Sequence, residues 1–303
     1  MRAILRMLAV AALIALSVGI GGCGESEETE SIKLPPPEPK ELDITLDGYP
    51  SAQNVGILIA EQRGYFEEVG LDIWVRTPVS RLNPLRYVVE GEVALAVSHQ
   101  PQVVLAEEKG APVAAFGSLI PEPTAAMIWL KKSKIDEIAD LRGKTIAITG
   151  LPFERDHLQS ILAEAGLTLN DVKVERADYD LVPALLSGRA DAILGSSNLE
   201  GAELESRGLD PVITPVTDLG VPAYDELVLI ARPDLLSEDP RSIRNFMTAV
   251  ERGTATAIED PKAAAAAIEG SIGADPDASR KSTAAEVKAT LPLLSVEEYL
   301  PEP

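Results

Sequence analysis

Residues 42–72 read LDITLDGYPSAQNVGILIAEQRGYFEEVGLD, and this stretch contains one complete strand-and-helix unit. Its first five residues form an apolar run short enough for a buried strand, and a helical pattern follows that ends at Gly64. Glycine is typical of a helix end because it adopts the left-handed backbone conformation without steric cost. Repeated units of this kind build a mostly parallel β-sheet covered by helices.

The same unit recurs along the chain. Further apolar runs predict strands at residues 93–97, 113–116, 145–148, 191–194 and 227–231. Glycines mark the expected ends of the intervening helices at Gly91, Gly110, Gly166, Gly188 and Gly208. The spacing of apolar residues predicts a buried helix face within residues 158–165 and a longer one within 243–257. The sequence therefore predicts the α/β class.

Two helix starts in the C-terminal region can also be predicted. Asp239 precedes Pro240 and Asp260 precedes Pro261, so each pair supplies a capping acceptor and a proline at the first helical position. The chain of 303 residues also exceeds the roughly 100–200 residues of one compact domain. Because the strand-and-helix series restarts near residues 135–150, we predict a first lobe from residues 41–123 plus 216–303 and a second from 124–215.

The N-terminus has the features of an export signal. Arg2 and Arg6 precede an apolar run over residues 7–20, which is followed by two glycines and Cys23. Residues 20–23 resemble the bacterial lipobox, which predicts a signal peptide over 1–22 and lipidation of Cys23; an ordinary signal peptide with an incidental thiol is the alternative. Residues 23–40 are rich in Glu, Ser, Thr and Pro, which predicts a disordered tether.

The charge excludes one class of partner. The chain has 27 Lys plus Arg against 48 Asp plus Glu, a net charge of −21. Nucleic acid binding needs a concentrated positive field, so we expect no such partner. A zinc site needs a cluster of Cys, His or carboxylates at defined spacing, and two distant histidines do not provide one, so neither a metal nor a cofactor is expected.

Five blocks of sequence resemble a known family in content and in order. They span residues 46–72, 97–101, 140–152, 180–192 and 220–226. The strand end at Leu46 and the Gly64-Tyr65-Phe66 turn in the first block are the best marker. On these residues the chain resembles the solute-binding proteins for the thiamine pyrimidine precursor, within the nitrate, sulfonate and taurine-binding group of ABC importers.

The resemblance implies a type II periplasmic-binding-protein fold, in which two α/β lobes joined by a double-crossing hinge close on a ligand. It implies an exported, lipid-anchored monomer, on the outer face of the cell membrane or in the periplasm, that passes a small solute to the permease and ATPase subunits of an ABC importer. A protein that reports its ligand to a signalling partner is the alternative. Ligands of open parallel sheets bind beyond the carboxyl ends of strands, so we expect the site in strand-to-helix loops.

The resemblance places ligand-binding residues in two loops of the first lobe. Asp47, Tyr49 and Asn54 lie between the first strand and the first helix, with Tyr49 as a stacking ring. Helix capping is the alternative for Asp47 and Asn54. His99 and Gln100 follow a strand; Gln100 offers both a donor and an acceptor for an aminopyrimidine edge, whereas a structural histidine is the alternative for His99.

The second lobe and the hinge supply the other candidates. Gly150, Phe153 and Glu154 lie in the corresponding loop, where helix capping is the alternative for Glu154. By resemblance Asn198 and Glu200 contact the ligand, with Glu200 pairing with an amino group, or else remaining an exposed helix carboxylate. Tyr224 and Glu226 approach from the hinge side. The complete predicted set is Asp47, Tyr49, Asn54, His99, Gln100, Gly150, Phe153, Glu154, Asn198, Glu200, Tyr224 and Glu226.

The chain departs from the family at three positions. Many relatives have tryptophan where this chain has Gly48, histidine where it has Asn54 and an aromatic ring where it has Leu199. A flat ligand would lose stacking surface, so riboflavin or a sulfonate- or nitrate-type anion stays open as an alternative. An anion would demand a cationic side chain in the cleft, for which Arg81, Arg86 and Arg155 are the candidates.

Catalysis is the remaining alternative. The same fold serves as a pyrimidine-precursor synthase in fungi, with a cysteine-rich stretch and an active-site histidine. Here Cys23 is the only cysteine and Asn54 stands at the histidine position. A hydrolase triad would need a nucleophile turn, and no serine lies in a Gly-x-Ser-x-Gly sequence. We therefore expect a binding protein and no enzyme.

Overall fold

The computed structural model describes residues 39–80, 83–272 and 283–300. The predicted signal peptide, Cys23, Arg81 and nearly all of the predicted tether lie outside the described residues. The strands are β1 (Lys40–Thr45), β2 (Leu71–Arg76), β3 (Leu95–Ser98), β4 (Ala114–Ile120), β5 (Ala125–Leu130), β6 (Thr145–Ile148), β7 (Lys173–Arg176), β8 (Ala192–Ser196), β9 (Pro211–Pro215), β10 (Leu227–Ala231) and β11 (Glu297–Glu298).

The helices connect these strands or follow them. They are α1 (Val55–Gln62), α2 (Tyr65–Glu68), α3 (Asn83–Glu90), α4 (Gln100–Glu107), α5 (Glu154–Glu164), α6 (Leu181–Leu186), α7 (Ala202–Ser206), α8 (Pro233–Glu238), α9 (Pro240–Glu259), α10 (Pro261–Ile272) and α11 (Thr283–Thr290). The α/β class and the six predicted strands are confirmed. The predicted apolar runs do not include β2, β5, β7, β9 or β11. Charged residues or prolines interrupt or bound the apolar residues of β2, β7 and β9, whereas β5 (AAMIWL) is an uninterrupted apolar run that could have been identified.

The strands form two separate sheets. The first sheet has the order β11-β4-β10-β3-β1-β2, and the second sheet has the order β7-β6-β8-β5-β9. In the first, β1 runs parallel to β2 and β3, whereas β10 runs antiparallel to β3 and β4. In the second, β6 runs parallel to β7 and β8, whereas β5 runs antiparallel to β8 and β9. The chain passes from the first sheet to the second at residues 121–124 and returns at 216–226.

Local signals placed the helix ends correctly. The six glycines predicted to stop helices have φ between 66° and 76°. Asp239 accepts a hydrogen bond from the backbone N–H of Ser242, and Asp260 accepts from the N–H groups of Lys262 and Ala263. These contacts confirm both predicted caps.

We call the first sheet with its helices the first half of the molecule, and the second sheet with its helices the second half. In the first half, two glycines let α1 and α9 approach closely. A Cβ at Gly253 would overlap the carbonyl oxygen of Gly56, and a Cβ at Gly56 would overlap the Thr254 side chain. On the same face of α9, the Phe246 ring lies 5.3 Å from Phe66. These contacts position α1 against α9.

Candidate functional site

A cleft of about 430 Å³, measured to its open mouth, lies beyond the carboxyl ends of β3, β6 and β8. Residues that follow strands of both sheets line it, together with residues in or next to the two segments that cross between the sheets, residues 121–124 and 216–226, here called the crossing segments. The lining residues are His99, Ala125, Thr149, Leu151, Phe153, Glu154, His157, Leu181, Leu194, Gly195, Ser196, Glu200 and Glu226.

The Glu226 carboxylate ties the two crossing segments together and to the first sheet. Its Oε2 accepts hydrogen bonds from the backbone N–H groups of Thr124 (2.7 Å) and Ala125 (3.1 Å). His99 Nδ1 lies 3.1 Å from Oε1 and 3.0 Å from the Glu226 carbonyl oxygen; because both are acceptors, Nδ1 carries the proton. Burial opposes ionisation of Glu226, but His99 and the two N–H groups outweigh it and hold its pKa below the usual value.

Glu154 organises the loop between β6 and α5. One carboxylate oxygen accepts from the backbone N–H (3.1 Å) and the hydroxyl (2.7 Å) of Thr149. The other accepts from the N–H groups of Gly150 (2.6 Å) and Leu151 (2.8 Å). Burial raises the pKa of Glu154, and these four hydrogen bonds act in the opposite direction. Glu154 therefore holds this loop in place as well as lining the cleft.

Glu200 lies on a π-helical turn, Ser197–Gly201, directly after β8. Its Oε2 accepts a hydrogen bond from the Ser196 N–H at 2.7 Å. Gly195 provides the space for this carboxylate, since a Cβ at that position would stand 3.1 Å from Oε2. Among the residues that the structure describes, this is the one hydrogen bond that Glu200 makes. Its Oε1 can therefore accept a hydrogen bond from a ligand.

Four rings form a row along the cleft. Ring centroids are 5.5 Å apart for His99 and Phe153, 5.0 Å for Phe153 and His157, and 5.2 Å for His157 and Tyr224. Burial lowers the pKa of His157 despite nearby carboxylates. Burial, followed by the charge of Glu226, raises the pKa of Tyr224. His157 and Tyr224 are therefore both uncharged at neutral pH, and their rings offer neutral flat surfaces.

The structure gathers several of the predicted ligand-binding residues around this cleft. His99, Phe153, Glu154, Glu200 and Glu226 line it. Two more border it: the Gly150 N–H is bound to Glu154, and the Tyr224 ring packs on His157. Their contacts with a ligand stay predictions.

Three other predicted residues make hydrogen bonds within the first half or at its crossing segment. Asn54 Nδ2 donates to Asp47 Oδ1 at 3.2 Å, and Asn54 Oδ1 accepts from the Ser51 N–H at 3.1 Å. Gln100 Oε1 accepts from the Asp225 N–H at 3.0 Å. Asn54 thus forms a capping box with Ser51, in line with the capping alternative, whereas the hydrogen bond to Asp47 comes from the Asn54 side chain and not from a helix N–H.

The last two predicted residues make contacts between the halves of the molecule. Asn198 is buried; its Oδ1 accepts from Gln53 Nε2 at 3.4 Å and its Nδ2 donates to Thr290 Oγ1 at 2.8 Å. The Tyr49 ring centroid lies 4.5 Å from that of Tyr179, which follows β7 of the second sheet. Asn198 and Tyr49 thus join residues of one half to residues of the other.

The sequence prediction missed His157, Thr149 and Leu181 as cleft residues. His157 lies three residues after Glu154 on α5, so the two share one face of the helix. That spacing is a signal that could have identified His157. Leu181 could not be found in this way, because only the packing of α6 against the second sheet brings it to the cleft.

Two further properties of the described residues concern metals and membranes. Within residues 39–80, 83–272 and 283–300, no three His, Cys, Asp or Glu side chains are grouped so that they could hold a metal ion. None of the helices in those ranges combines the length and hydrophobicity required to cross a bilayer.

Solved structures with the same architecture define the class of fold. The alkanesulfonate-binding protein SsuA from Xanthomonas axonopodis pv. citri, bound to MOPS, matches with a TM-score of 0.68 and 18% identity over 86% of this chain and 87% of its own. The periplasmic nitrate-binding protein NrtA from Synechocystis PCC 6803 matches with a TM-score of 0.61 and 13% identity over 77% of this chain and 66% of its own. The predicted periplasmic-binding-protein fold is confirmed.

Sequence comparison gives the family. Residues 51–264 match the family described as NMT1/THI5 like, and the chain belongs to it. The formylaminopyrimidine-binding protein of Halalkalibacterium halodurans is 33% identical over 221 residues, which cover 73% of this chain and 67% of that protein. A Haemophilus influenzae protein named for thiamine biosynthesis is 33% identical over 74% of this chain and 71% of its own. The resemblance stated from the five sequence blocks is confirmed.

Some relatives carry the name of an enzyme. The 4-amino-5-hydroxymethyl-2-methylpyrimidine phosphate synthase of Schizosaccharomyces pombe is 26% identical over 215 residues, covering 68% of this chain and 62% of that protein. This identity is lower than that of the formylaminopyrimidine-binding protein.

Proposed function

We propose that this protein captures a small, flat heterocycle of the thiamine pyrimidine precursor class and passes it to an ABC importer. The formylaminopyrimidine-binding relative supports the class of ligand. Proteins of the same fold that bind alkanesulfonates and nitrate support capture as the activity. The cleft between the two sheets is the binding site in this proposal.

The charge of the cleft is the observation that carries the proposal. Its lining includes the carboxyl groups of Glu154, Glu200 and Glu226 and, among the described lining residues, neither Lys nor Arg. An aminopyrimidine suits this lining, because its faces pack against rings and its amino group donates a hydrogen bond to Glu200. A sulfonate or nitrate would bring a further negative charge into a partly enclosed space where charges are weakly screened. Hydrogen-bond donors are therefore favoured over anions.

Of the three arginines considered for an anion, Arg81 lies outside the described residues, and the other two are engaged elsewhere or exposed. Arg86 pairs with Glu90 and Glu92 on the surface of the first half. Arg155 is exposed on α5 and is absent from the described lining of the cleft. Neither supports the anion alternative.

The carboxylates also support binding rather than catalysis. A general acid or base needs a proton-transferring group within reach of the substrate. Glu154 already accepts four hydrogen bonds from its own loop, and Glu226 accepts from two backbone N–H groups as well as His99. These two side chains serve the framework of the cleft, and Glu200 is the carboxylate that remains for ligand recognition.

The organisation of the whole chain completes the proposal. The first sheet and the helices around it form the lobe made of residues 41–123 and 216–303, and the second sheet forms the lobe made of residues 124–215. Residues 1–22 direct export, Cys23 carries the lipid, and residues 23–40 hold a monomer close to the permease. The sequence pattern before residue 41 supports the export and anchoring part.

Isothermal titration calorimetry with a ligand panel tests the binding activity. The panel is 4-amino-5-(formylaminomethyl)-2-methylpyrimidine, its deformylated amine, riboflavin, an alkanesulfonate and nitrate, preceded by mass spectrometry of small molecules carried through purification. We expect the two pyrimidines to bind more tightly than the others. Tighter binding of an anion would contradict the proposal, and chemical conversion of the bound pyrimidine would contradict a purely binding role.

Metabolic labelling with a fatty acid tests the anchor. We expect label on the wild-type chain in a bacterial host and its loss in Cys23→Ser. Equal labelling of both chains, or none in either, would contradict lipidation of Cys23.

A further inference from the structure

His157 lines the cleft with hydrogen-bonding capacity that the protein itself does not use. Its Nδ1 is enclosed and has no hydrogen-bond partner, and no described residue makes a hydrogen bond with either ring nitrogen. By contrast, the carboxylates of Glu154 and Glu226 accept several hydrogen bonds from the chain. His157 and Glu200 are therefore two groups of the lining whose hydrogen-bonding capacity is available to a ligand.

The surroundings of His157 fix its orientation and its proton. Its ring lies between Phe153, at 5.0 Å and 61°, and Tyr224, at 5.2 Å and 39°. A proton on the enclosed Nδ1 would be a buried donor without an acceptor, which is costly, so the neutral ring carries its proton on Nε2. Since Nδ1 is covered, the Nε2 edge is the part of the ring that can meet a molecule in the cleft.

We propose that His157 determines ligand specificity by donating a hydrogen bond from Nε2 to an acceptor atom of the bound heterocycle, while Glu200 accepts one from a ligand amino group. This inference rests on the proposed function. An aminopyrimidine carries both groups side by side, because a ring nitrogen adjoins the carbon that bears the amino group. A ligand that lacks the acceptor leaves Nε2–H unpaired in the closed cleft and is rejected.

Three substitutions at His157 test its hydrogen-bond donor separately from its ring. His157→Phe keeps a ring between Phe153 and Tyr224 without a donor, His157→Gln keeps an amide nitrogen near the Nε2 position, and His157→Asn keeps one near the Nδ1 position. Calorimetry with the formylaminopyrimidine measures the affinity of each variant. We expect His157→Phe and His157→Asn to bind about tenfold more weakly than wild type, the effect of losing one hydrogen bond. His157→Gln should bind less than about threefold more weakly. The melting temperature of ligand-free His157→Phe should not fall, since the change removes an unpartnered buried nitrogen.

Ligand analogues test the same hydrogen bond from the other side. One analogue replaces the ring nitrogen next to the amino-bearing carbon by C–H, and a second lacks the formyl oxygen. We expect one of the two to lose about tenfold in affinity for the wild-type protein and little for His157→Phe, because the donor is already gone. If His157→Phe does not fold, the comparison of Gln with Asn gives the same answer.

The outcomes distinguish this inference from the proposed function. Affinity of His157→Phe equal to wild type, or equal losses in Gln and Asn, would overturn the role of His157 and leave the proposed function standing. Absence of pyrimidine binding by the wild-type protein would overturn both.

Discussion

The two sheets have the same strand arrangement but contribute differently to the cleft. The first contains the order β2-β1-β3-β10-β4 and the second the order β7-β6-β8-β5-β9. In each, three parallel strands are followed by an antiparallel strand that arrives directly from a crossing segment. Most of the lining residues, however, follow strands of the second sheet, whereas His99 follows a strand of the first.

The first half has a different specialisation. It carries the 20-residue α9, packed on α1 through Gly56 and Gly253, and a core in which the Phe246 ring contacts Phe66 and Phe116. One strand order thus serves two purposes. In the first half it supports a large apolar core, and in the second it places cleft-lining side chains at strand ends.

The largest effect is expected where the two halves are joined. In Glu226→Gln one carboxylate oxygen becomes an amide nitrogen, so either His99 or the N–H groups of Thr124 and Ala125 lose their side-chain acceptor, and the negative charge is lost. Breaking a buried charged pair leaves its partner unsatisfied, so we expect a loss of about 3 kcal/mol in the free energy of unfolding by urea titration. Glu122→Gln, in the exposed part of the first crossing segment, is the control and should change stability by less than about 0.5 kcal/mol.

The stability difference between wild type and Glu226→Gln should also depend on pH, and the lowered pKa of Glu226 gives the direction. The pKa of Glu226 is lowered in the folded protein from an ordinary value of 4.5, so its stabilisation is complete above that value. It is lost as the pH falls through the folded pKa, because the carboxylate then takes up a proton. The stability difference between wild type and Glu226→Gln should therefore shrink in acid. A difference that grows in acid would contradict the assignment.

Overpacking the first half should have the next largest effect. In Gly253→Ala the new methyl group overlaps the carbonyl oxygen of Gly56, so we expect a loss of about 2–3 kcal/mol in unfolding free energy. Gly270→Ala is the matched control, since its nearest neighbour, Gln62 Nε2, would be 3.8 Å away; it should be neutral or slightly stabilising. Equal effects at both positions would contradict a special contact between α1 and α9.

A change in the second half should alter binding and not stability. In Glu200→Ala we expect a loss of about 2 kcal/mol in ligand affinity, because a charged acceptor is removed from the cleft. The melting temperature of the empty protein should stay nearly unchanged, and exposed Glu205→Ala should alter neither property. A fall in the melting temperature of Glu200→Ala without loss of affinity would make Glu200 a framework residue.

The smallest effect concerns the ring contact between the halves. Tyr49→Ala and Tyr179→Ala should each weaken ligand affinity by about 0.5–1.5 kcal/mol, since the two rings pack together. The double variant should lose no more than either single one when measured by calorimetry. If Tyr49 stacks on the ligand instead, Tyr49→Ala will weaken binding and Tyr179→Ala will not.

Particular residues show why prediction from sequence succeeded in some places and failed in others. Asp239 and Gly64 act on backbone groups a few residues away, so their effects on helix ends were predictable. His99 lies in the matched block 97–101, whereas Glu200 lies outside the five blocks and was named from the resemblance alone; both line the cleft, and their contacts with a ligand stay predictions. Asn198 was also predicted to contact ligand, but its amide bonds to Gln53 and Thr290, which are 145 and 92 residues away in sequence. A local sequence pattern cannot predict hydrogen-bond partners that are so far away along the chain.

The alternation of strands and helices, the helix ends, the acidic character and the family can all be read from the order of amino acids. These properties depend on backbone conformation and burial within a few residues, or on matched blocks of sequence. The choice of loops that line the cleft, the joining of the crossing segments by Glu226 and the unpartnered Nδ1 of His157 depend on tertiary packing. Those features arise when distant segments pack together. Which donors and acceptors remain without a partner in the protein is settled only when that packing is complete.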